Sequence, residues 1–231
     1  MTDRIKDYIY INQRLLDNIF VQIPENKFLS LKYKLGLKIK IFEAFIEKEL
    51  KTINTHEKIK KVYNYIEQNN FLKEASNNFI YSPYDYYCME KLYFTKISLE
   101  HSKIKTKYDI RKINFYVSTD RTFTTIGNNS PLFLLPDNIN SIGMDGSSGY
   151  SIFKLLMEDY LRCDQYFIKQ INADMKDNFA KNPIKYFNEL GCFVSDYQYL
   201  EAFYKKRSIL KDYIHDIVYT FAYPIYISSL M

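Results

Sequence analysis

Tyr199-Leu200-Glu201-Ala202-Phe203-Tyr204-Lys205-Lys206-Arg207 sits at the centre of a stretch, 196–214, that reads as helix. Helical readings also cover 150–162, 166–181 and 183–190, with Ser148 or Ser151 as cap for the first and Gly191 as a C-terminal stop for the last. Together they make the second half of the chain helical. The first half has a different character. Tyr8-Ile9-Tyr10-Ile11 is a β-branched and aromatic run of the kind found in buried strands. Asn12 can cap a helix carrying Leu15, Leu16, Ile19 and Phe20 at helical spacing, which Pro24 ends.

Further along, apolar residues alternate with Ser or Lys over 29–41, and a strand is expected over 36–47. Ile59, Val62, Tyr63 and Ile66 mark an amphipathic helix over 55–69, with Thr55 as its cap. Residues 76–90, with Tyr81, Tyr84, Tyr86 and Tyr87, read as a loop. Strands follow at 92–100, 111–118 and 121–126, the last two paired as a hairpin through Thr119-Asp120-Arg121. Ile217 to Ile227 is a β-rich run whose Pro224 suits an edge strand. The fold expected is α+β (mixed α/β), one domain over 1–231. It has a single sheet of about five to six strands, a β-rich first half, a helical second half and a final strand returning to the sheet.

Composition narrows the functional classes. The 231 residues include 23 Tyr and 17 Phe but no Trp and only 6 Gly, the makings of a core filled by large rings. Cys88, Cys163 and Cys192 are widely spaced, so reduced, buried thiols are expected rather than a disulfide framework. Residues 1–7 carry Asp3, Arg4, Lys6 and Asp7 and lack a signal-peptide core, and no uncharged run is long enough to span a bilayer. A cytoplasmic protein without membrane contact is expected. The formal charge of +5 is modest, and Lys32, Lys34, Lys38 and Lys40, Lys58, Lys60 and Lys61, and the run Lys205-Lys206-Arg207 read as solvated faces. Nucleic acid is therefore not the expected partner.

Motifs for catalysis are absent: no P-loop, HExxH, GxSxG or paired Cys/His spacing occurs, so neither a metal nor a cofactor is implied. His56, His101 and His215 fall on separate elements. The informative segment is Thr124-Thr125-Ile126-Gly127-Asn128-Asn129-Ser130-Pro131, which follows a strand, together with Asp145-Gly146-Ser147-Ser148-Gly149 ahead of a helix. Small and amide residues let backbone N–H groups face outward, and a helix start adds orphan donors that attract anions. Thr125, Gly127, Asn128, Asn129, Ser130, Gly146, Ser147 and Ser148 are the candidate ligand-binding residues. Ordinary turn chemistry writes the same residues.

Three segments resemble a family of uncharacterised bacterial proteins. Tyr8-Ile9-Tyr10-Ile11 with Leu15-Leu16-Asp17 and Gln22-Ile23-Pro24 resembles that family's aromatic strand and its helix ending in Gln-Ile-Pro. Thr125-Ile126-Gly127-Asn128-Asn129-Ser130 resembles its central strand and Gly-Gly-Ser turn, with Asn128 in place of a glycine. Tyr223-Pro224-Ile225-Tyr226-Ile227 resembles its closing Thr-Pro-Leu-Tyr-Val, with Tyr223 in place of Thr. The resemblance implies a bacterial cytosolic domain and assigns no activity.

The reading that follows is a non-catalytic binding or sensing protein for a small anionic ligand such as a nucleotide, in a bacterial defence or conflict setting. Two alternatives stand beside it. One is an enzyme with an unfamiliar site acting on nucleotides or nucleic acid, with Asp120, His101 and Asp145 as first candidates. The other is a protein–protein interaction module, hetero- or homo-oligomeric, using the tyrosine loop at 81–87 or the C-terminal edge strand.

Overall fold

The computed structural model describes residues 6–23, 53–75, 86–100, 112–121, 130–135, 182–189, 192–212 and 217–229. In chain order these form β1 (Asp7–Ile11), α1 (Gln13–Phe20), α2 (Thr55–Gln68), β2 (Tyr87–Glu100), β3 (Lys112–Ser118) and β4 (Leu132–Leu134). They continue with α3 (Pro183–Glu189), β5 (Phe193–Val194), β6 (Gln198–Asp212) and β7 (Ile217–Ser229).

Five of the strands close on themselves. β2 pairs with β3, β3 with β4, β4 with β7, β7 with β6, and β6 returns to β2. Every contact in the ring is antiparallel except β4 with β7. Closure is possible because β2 is long enough to serve two neighbours: Tyr87–Phe94 lie on β6 and Thr95–Glu100 on β3. The result is a five-stranded barrel with two added strands, β1 on β7 and β5 on β2. Counted within the ring, the spatial order is first, second, third, fifth, fourth. Oligonucleotide- and oligosaccharide-binding barrels are Greek-key rings of the same size. That likeness is one of fold and by itself carries no function.

This architecture corrects the expected open α+β sheet with a helical second half. The stretch 196–214, expected as helix, holds β6, the longest described strand. β6 borders β2 on one edge and β7 on the other. β7 is not an edge strand either, since β6 runs along one side and β4 and β1 share the other. Pro224 is tolerated because it falls at a bulge, where Tyr204 faces Pro224 while Phe203 faces Tyr226, and between the reaches of β4 (to Ala222) and β1 (from Tyr226). β3 pairs antiparallel with β2 and β4; of the strand expected over 121–126, Arg121 is not in a strand and 122–126 lie outside the described residues. Residues 87–90, expected as loop, open β2. The strand expected over 36–47, the helices expected over 150–162 and 166–181, and Tyr81, Tyr84, Cys163 and Gly191 also lie outside the described residues.

β1 and α1 occur where expected, and the Asn12 side chain accepts the Leu15 N–H at 2.9 Å to cap α1. β1 is not the buried strand expected: none of its residues is buried and Ile9 is exposed, because it is added to the ring along β7 rather than lying inside it. For α2 the cap is Asn54, not Thr55; its side chain accepts the His56 N–H at 2.9 Å. Both helices turn one apolar face to the barrel. Leu16, Ile19 and Phe20 of α1 and Ile59, Val62, Tyr63 and Ile66 of α2 pack with Phe203, Ile225 and Tyr226 from the outer wall of β6 and β7. Lys58 of α2, itself buried, reaches Asp17 of α1 at 2.8 Å and locks the two together. On another part of the wall, Phe187 of α3 sets its ring edge-on to Phe115 of β3, 5.1 Å away. With helices outside and the barrel interior within, β7 is buried nearly throughout, so it reads as a continuous apolar run.

Candidate functional site

Alternation along β2 and β6 sends Cys88, Glu90, Leu92 and Phe94, and Leu200, Ala202, Tyr204 and Lys206, into the barrel. Most of that interior is apolar, with Phe94, Leu132, Leu134, Leu200, Ala202, Ala222 and Ile227 in one cluster. Its polar part is concentrated around Glu90. The Arg121 guanidinium enters the interior just beyond β3, with Nε 3.2 Å from Glu90 Oε1. The Tyr204 hydroxyl donates to the other carboxylate oxygen, Oε2, and accepts from Arg121 Nη2 at 3.4 Å. Lys206 completes the group: its backbone N–H donates to the Tyr86 carbonyl at 2.9 Å and its ammonium lies 5.7 Å from the centre of the Tyr86 ring.

Burial decides how this cluster behaves. Arg121 is 3% exposed and Lys206 6%, so two cations sit where water hardly reaches. Placing an ion there costs several kcal/mol unless partners compensate. Glu90 is the more accessible member, with 16% of its side chain exposed. Cys88 reports the field. Its thiol is pushed up to about 12, first by burial and then by the Glu90 charge, while a Tyr204 hydrogen bond, Arg121 and Lys206 pull the other way. Burial also raises Tyr204 well above the ordinary phenol range. At neutral pH the thiol and the phenol are therefore both protonated. Neither is a ready nucleophile or base, and the group's strength is in holding charge.

Arg121 and Ser130, which flank residues 122–129 in the sequence, meet at this end of the barrel, where the Ser130 N–H donates to the Arg121 carbonyl at 2.9 Å. The Ser130 hydroxyl donates to the Val218 carbonyl at 2.8 Å, so both donors of this candidate residue are used inside the protein. Thr125, Gly127, Asn128, Asn129, Gly146, Ser147 and Ser148 lie outside the described residues, as do His101, Asp145 and His215. The Asp120 carboxylate is engaged within the fold, where its Oδ2 accepts the Tyr93 N–H at 3.0 Å and its Oδ1 accepts the Ser118 hydroxyl. It caps the edge of β2 that β3 leaves uncovered.

A second buried polar group lies on the outer wall. Lys6 pairs with Glu201, and the Tyr226 hydroxyl accepts from Lys6 Nζ at 3.0 Å and donates to Glu201 at 2.7 Å. Tyr8 packs edge-on to Tyr226 at 5.3 Å and meets His56 Nδ1 through its hydroxyl at 3.1 Å. This group joins β1 and α2 to the barrel. Among the described residues no three or more His, Cys, Asp or Glu side chains come together as a metal would require, and Cys88 and Cys192 are free, buried thiols. Among the same residues no helix is long and apolar enough to cross a membrane.

No motif or spacing in the sequence singles out Glu90, Arg121, Tyr204 or Lys206. Lys206 belongs to a basic run that reads as a solvated face. Only the strand period, which puts it on the side of Tyr204, distinguishes it from Lys205 and Arg207.

A family described as a family of unknown function (DUF7019) matches residues 6–86, the segment that carries β1, α1 and α2. None of the curated proteins and none of the solved structures matches the chain.

Proposed function

We propose that the protein is a non-catalytic binding or sensing protein for a small anionic ligand, held at the barrel end where Arg121 and Lys206 lie. The observation that carries this reading is the burial of two cations, Arg121 and Lys206, at one end of the barrel. A guanidinium in a low-dielectric wall attracts an anion far more strongly than one in water. In this reading Thr125, Gly127, Asn128 and Asn129, together with Gly146, Ser147 and Ser148, remain the sequence candidates for backbone contacts to the ligand. A nucleotide is one candidate within that ligand class. The protonated Cys88 and Tyr204 favour binding over catalysis.

The test is a thermal-shift panel of nucleotides, inorganic phosphate and small carboxylates against the wild type and Arg121→Met, with circular dichroism as the control for folding. At least one anion class should raise the wild-type melting temperature, and the rise should vanish in the variant. Absence of any shift across the panel would refute the reading.

A second reading, an interaction module, is favoured by a different surface. Tyr93 and Tyr199 face each other across β2 and β6 with rings 4.9 Å apart, and both are exposed, as is Tyr197. Exposed tyrosines are common anchors of protein interfaces. Light scattering on the wild type and a Tyr93→Ser/Tyr199→Ser variant separates the readings: an assembly that falls apart in the variant supports this one, and a monomer in both removes the homo-oligomeric form of it.

A further inference from the structure

We infer that Glu90 stands in for the acidic group of the ligand, and that this group is a carboxylate which exchanges with Glu90 on Arg121 and Tyr204. The inference rests on reading the barrel end as an anion site and goes further by naming the chemistry of the anion. Glu90 presents two oxygens in one plane, and each has its own partner: Oε1 is ion-paired with Arg121 Nε at 3.2 Å and Oε2 accepts from the Tyr204 hydroxyl. The two donors are themselves joined, Arg121 Nη2 to the Tyr204 oxygen at 3.4 Å, so their spacing persists when the acceptor leaves. A two-oxygen planar acceptor fits such a pair. The neighbouring wall is apolar, with Ala202 opposite Glu90 across the strands and Ile227 beyond it.

Burial identifies which member moves. Tyr204 and Arg121 are almost wholly enclosed, at 0% and 3% exposure, whereas the Glu90 side chain is 16% exposed. The carboxylate can swing toward solvent while the cradle stays in place. Until it does, its charge opposes any incoming anion, so the wild-type protein binds weakly and selects ligands that can replace it. The charged and titratable groups around Glu90 are Cys88 on its own strand, Arg121 after β3, and Tyr204 and Lys206 on β6.

Calorimetric titration of the wild type and Glu90→Gln with acetate, propionate and benzoate, and separately with inorganic phosphate and adenosine monophosphate, tests this. Glu90→Gln should bind carboxylates on the order of tenfold more tightly than the wild type, equivalent to about 1.4 kcal/mol. Glu90→Ala, which leaves the cradle unfilled, should gain thermal stability from acetate or propionate and not from phosphate at equal ionic strength. Should Glu90→Ala fail to fold, Glu90→Gln still decides. Wild-type binding that Glu90→Gln leaves unchanged would overturn the exchange while sparing the anion site. Tightening for phosphate alone would overturn the carboxylate assignment. If neither protein binds any anion, the anion site falls together with the inference.

Discussion

Two cation–carboxylate–tyrosine groups lie on opposite faces of the same barrel wall. Outside, Lys6, Glu201 and Tyr226 join β1 to β6 and β7; inside, Arg121, Glu90 and Tyr204 meet at the barrel end. The chemistry is nearly the same and the settings differ. In the outer group 10% and 5% of the Lys6 and Glu201 side chains are exposed, and the pair ties the added strand β1 to the ring. The inner group has one partner, Glu90, that reaches water. A pair this little exposed, joining an added strand to the ring, acts as a fastener. One with a partially accessible member can exchange that member. Assigning binding to the inner group and docking to the outer rests on this difference.

The largest effect should come from breaking the fastener. Glu201→Ala leaves the Lys6 ammonium and the Tyr226 hydroxyl enclosed without their carboxylate. It should lower stability by about 3–5 kcal/mol, read as a fall in the urea midpoint. If the loss is below about 1 kcal/mol, the outer group is not what docks β1.

Alkali should separate the groups next. Cys88 in the inner group has a folded pKa raised from 9.0 to about 12, so the folded state holds a proton that the unfolded state releases. Its contribution is full below about pH 9 and is lost as pH rises toward about 12. Tyr226 in the outer group is raised from 10.0, chiefly by burial and then by Glu201, and follows at higher pH. Stability measured against pH should begin to fall near 9, and Cys88→Ala should make that fall shallower; an unchanged slope would exclude Cys88 as a source. Cys192, raised to about 11, adds to the same window and serves as the matched control through Cys192→Ala.

Glu90→Gln should matter less for stability than Glu201→Ala. The amide oxygen keeps only one of the two partners, and the site touches water, so about 1–2 kcal/mol is expected in the same urea assay. A loss equal to that of Glu201→Ala would erase the distinction between the two groups. Smallest is the cap of α2, the helix that carries His56 toward Tyr8. Asn54→Ala should cost about 1 kcal/mol and leave anion binding untouched. A matching loss of binding would tie the outer cap to the inner site.

Local signals make β1, α1, α2, β3 and α3 legible, because each carries its own period and start signal within a few residues. β6 is not legible, for a physical reason. Helices pack on its outer face and the barrel core on its inner one, so the half-exposed alternation that marks a strand is missing. Leu200, Phe203 and Tyr204 then fall at spacings that a helix would also use. Glu201 gives no local hint of its partner, which lies 195 residues away at Lys6. Pro224 points to an edge strand, yet the bulge beside it lets β7 run through the middle. Of the proposed site, the sequence points only to small and amide residues outside the described ones; Glu90, Arg121 and Lys206 lie on three separate segments, which closure of the barrel brings together and no spacing rule could.

The most direct measurement is a calorimetric titration of wild type and Arg121→Lys side by side with one small carboxylate, benzoate, at low ionic strength. Lysine keeps the charge but loses the planar donor set that reaches Glu90 and Tyr204 together. The account predicts measurable heat in the wild type that falls at least about tenfold in affinity in the variant. Equal binding by both proteins, or heat from neither, would contradict it.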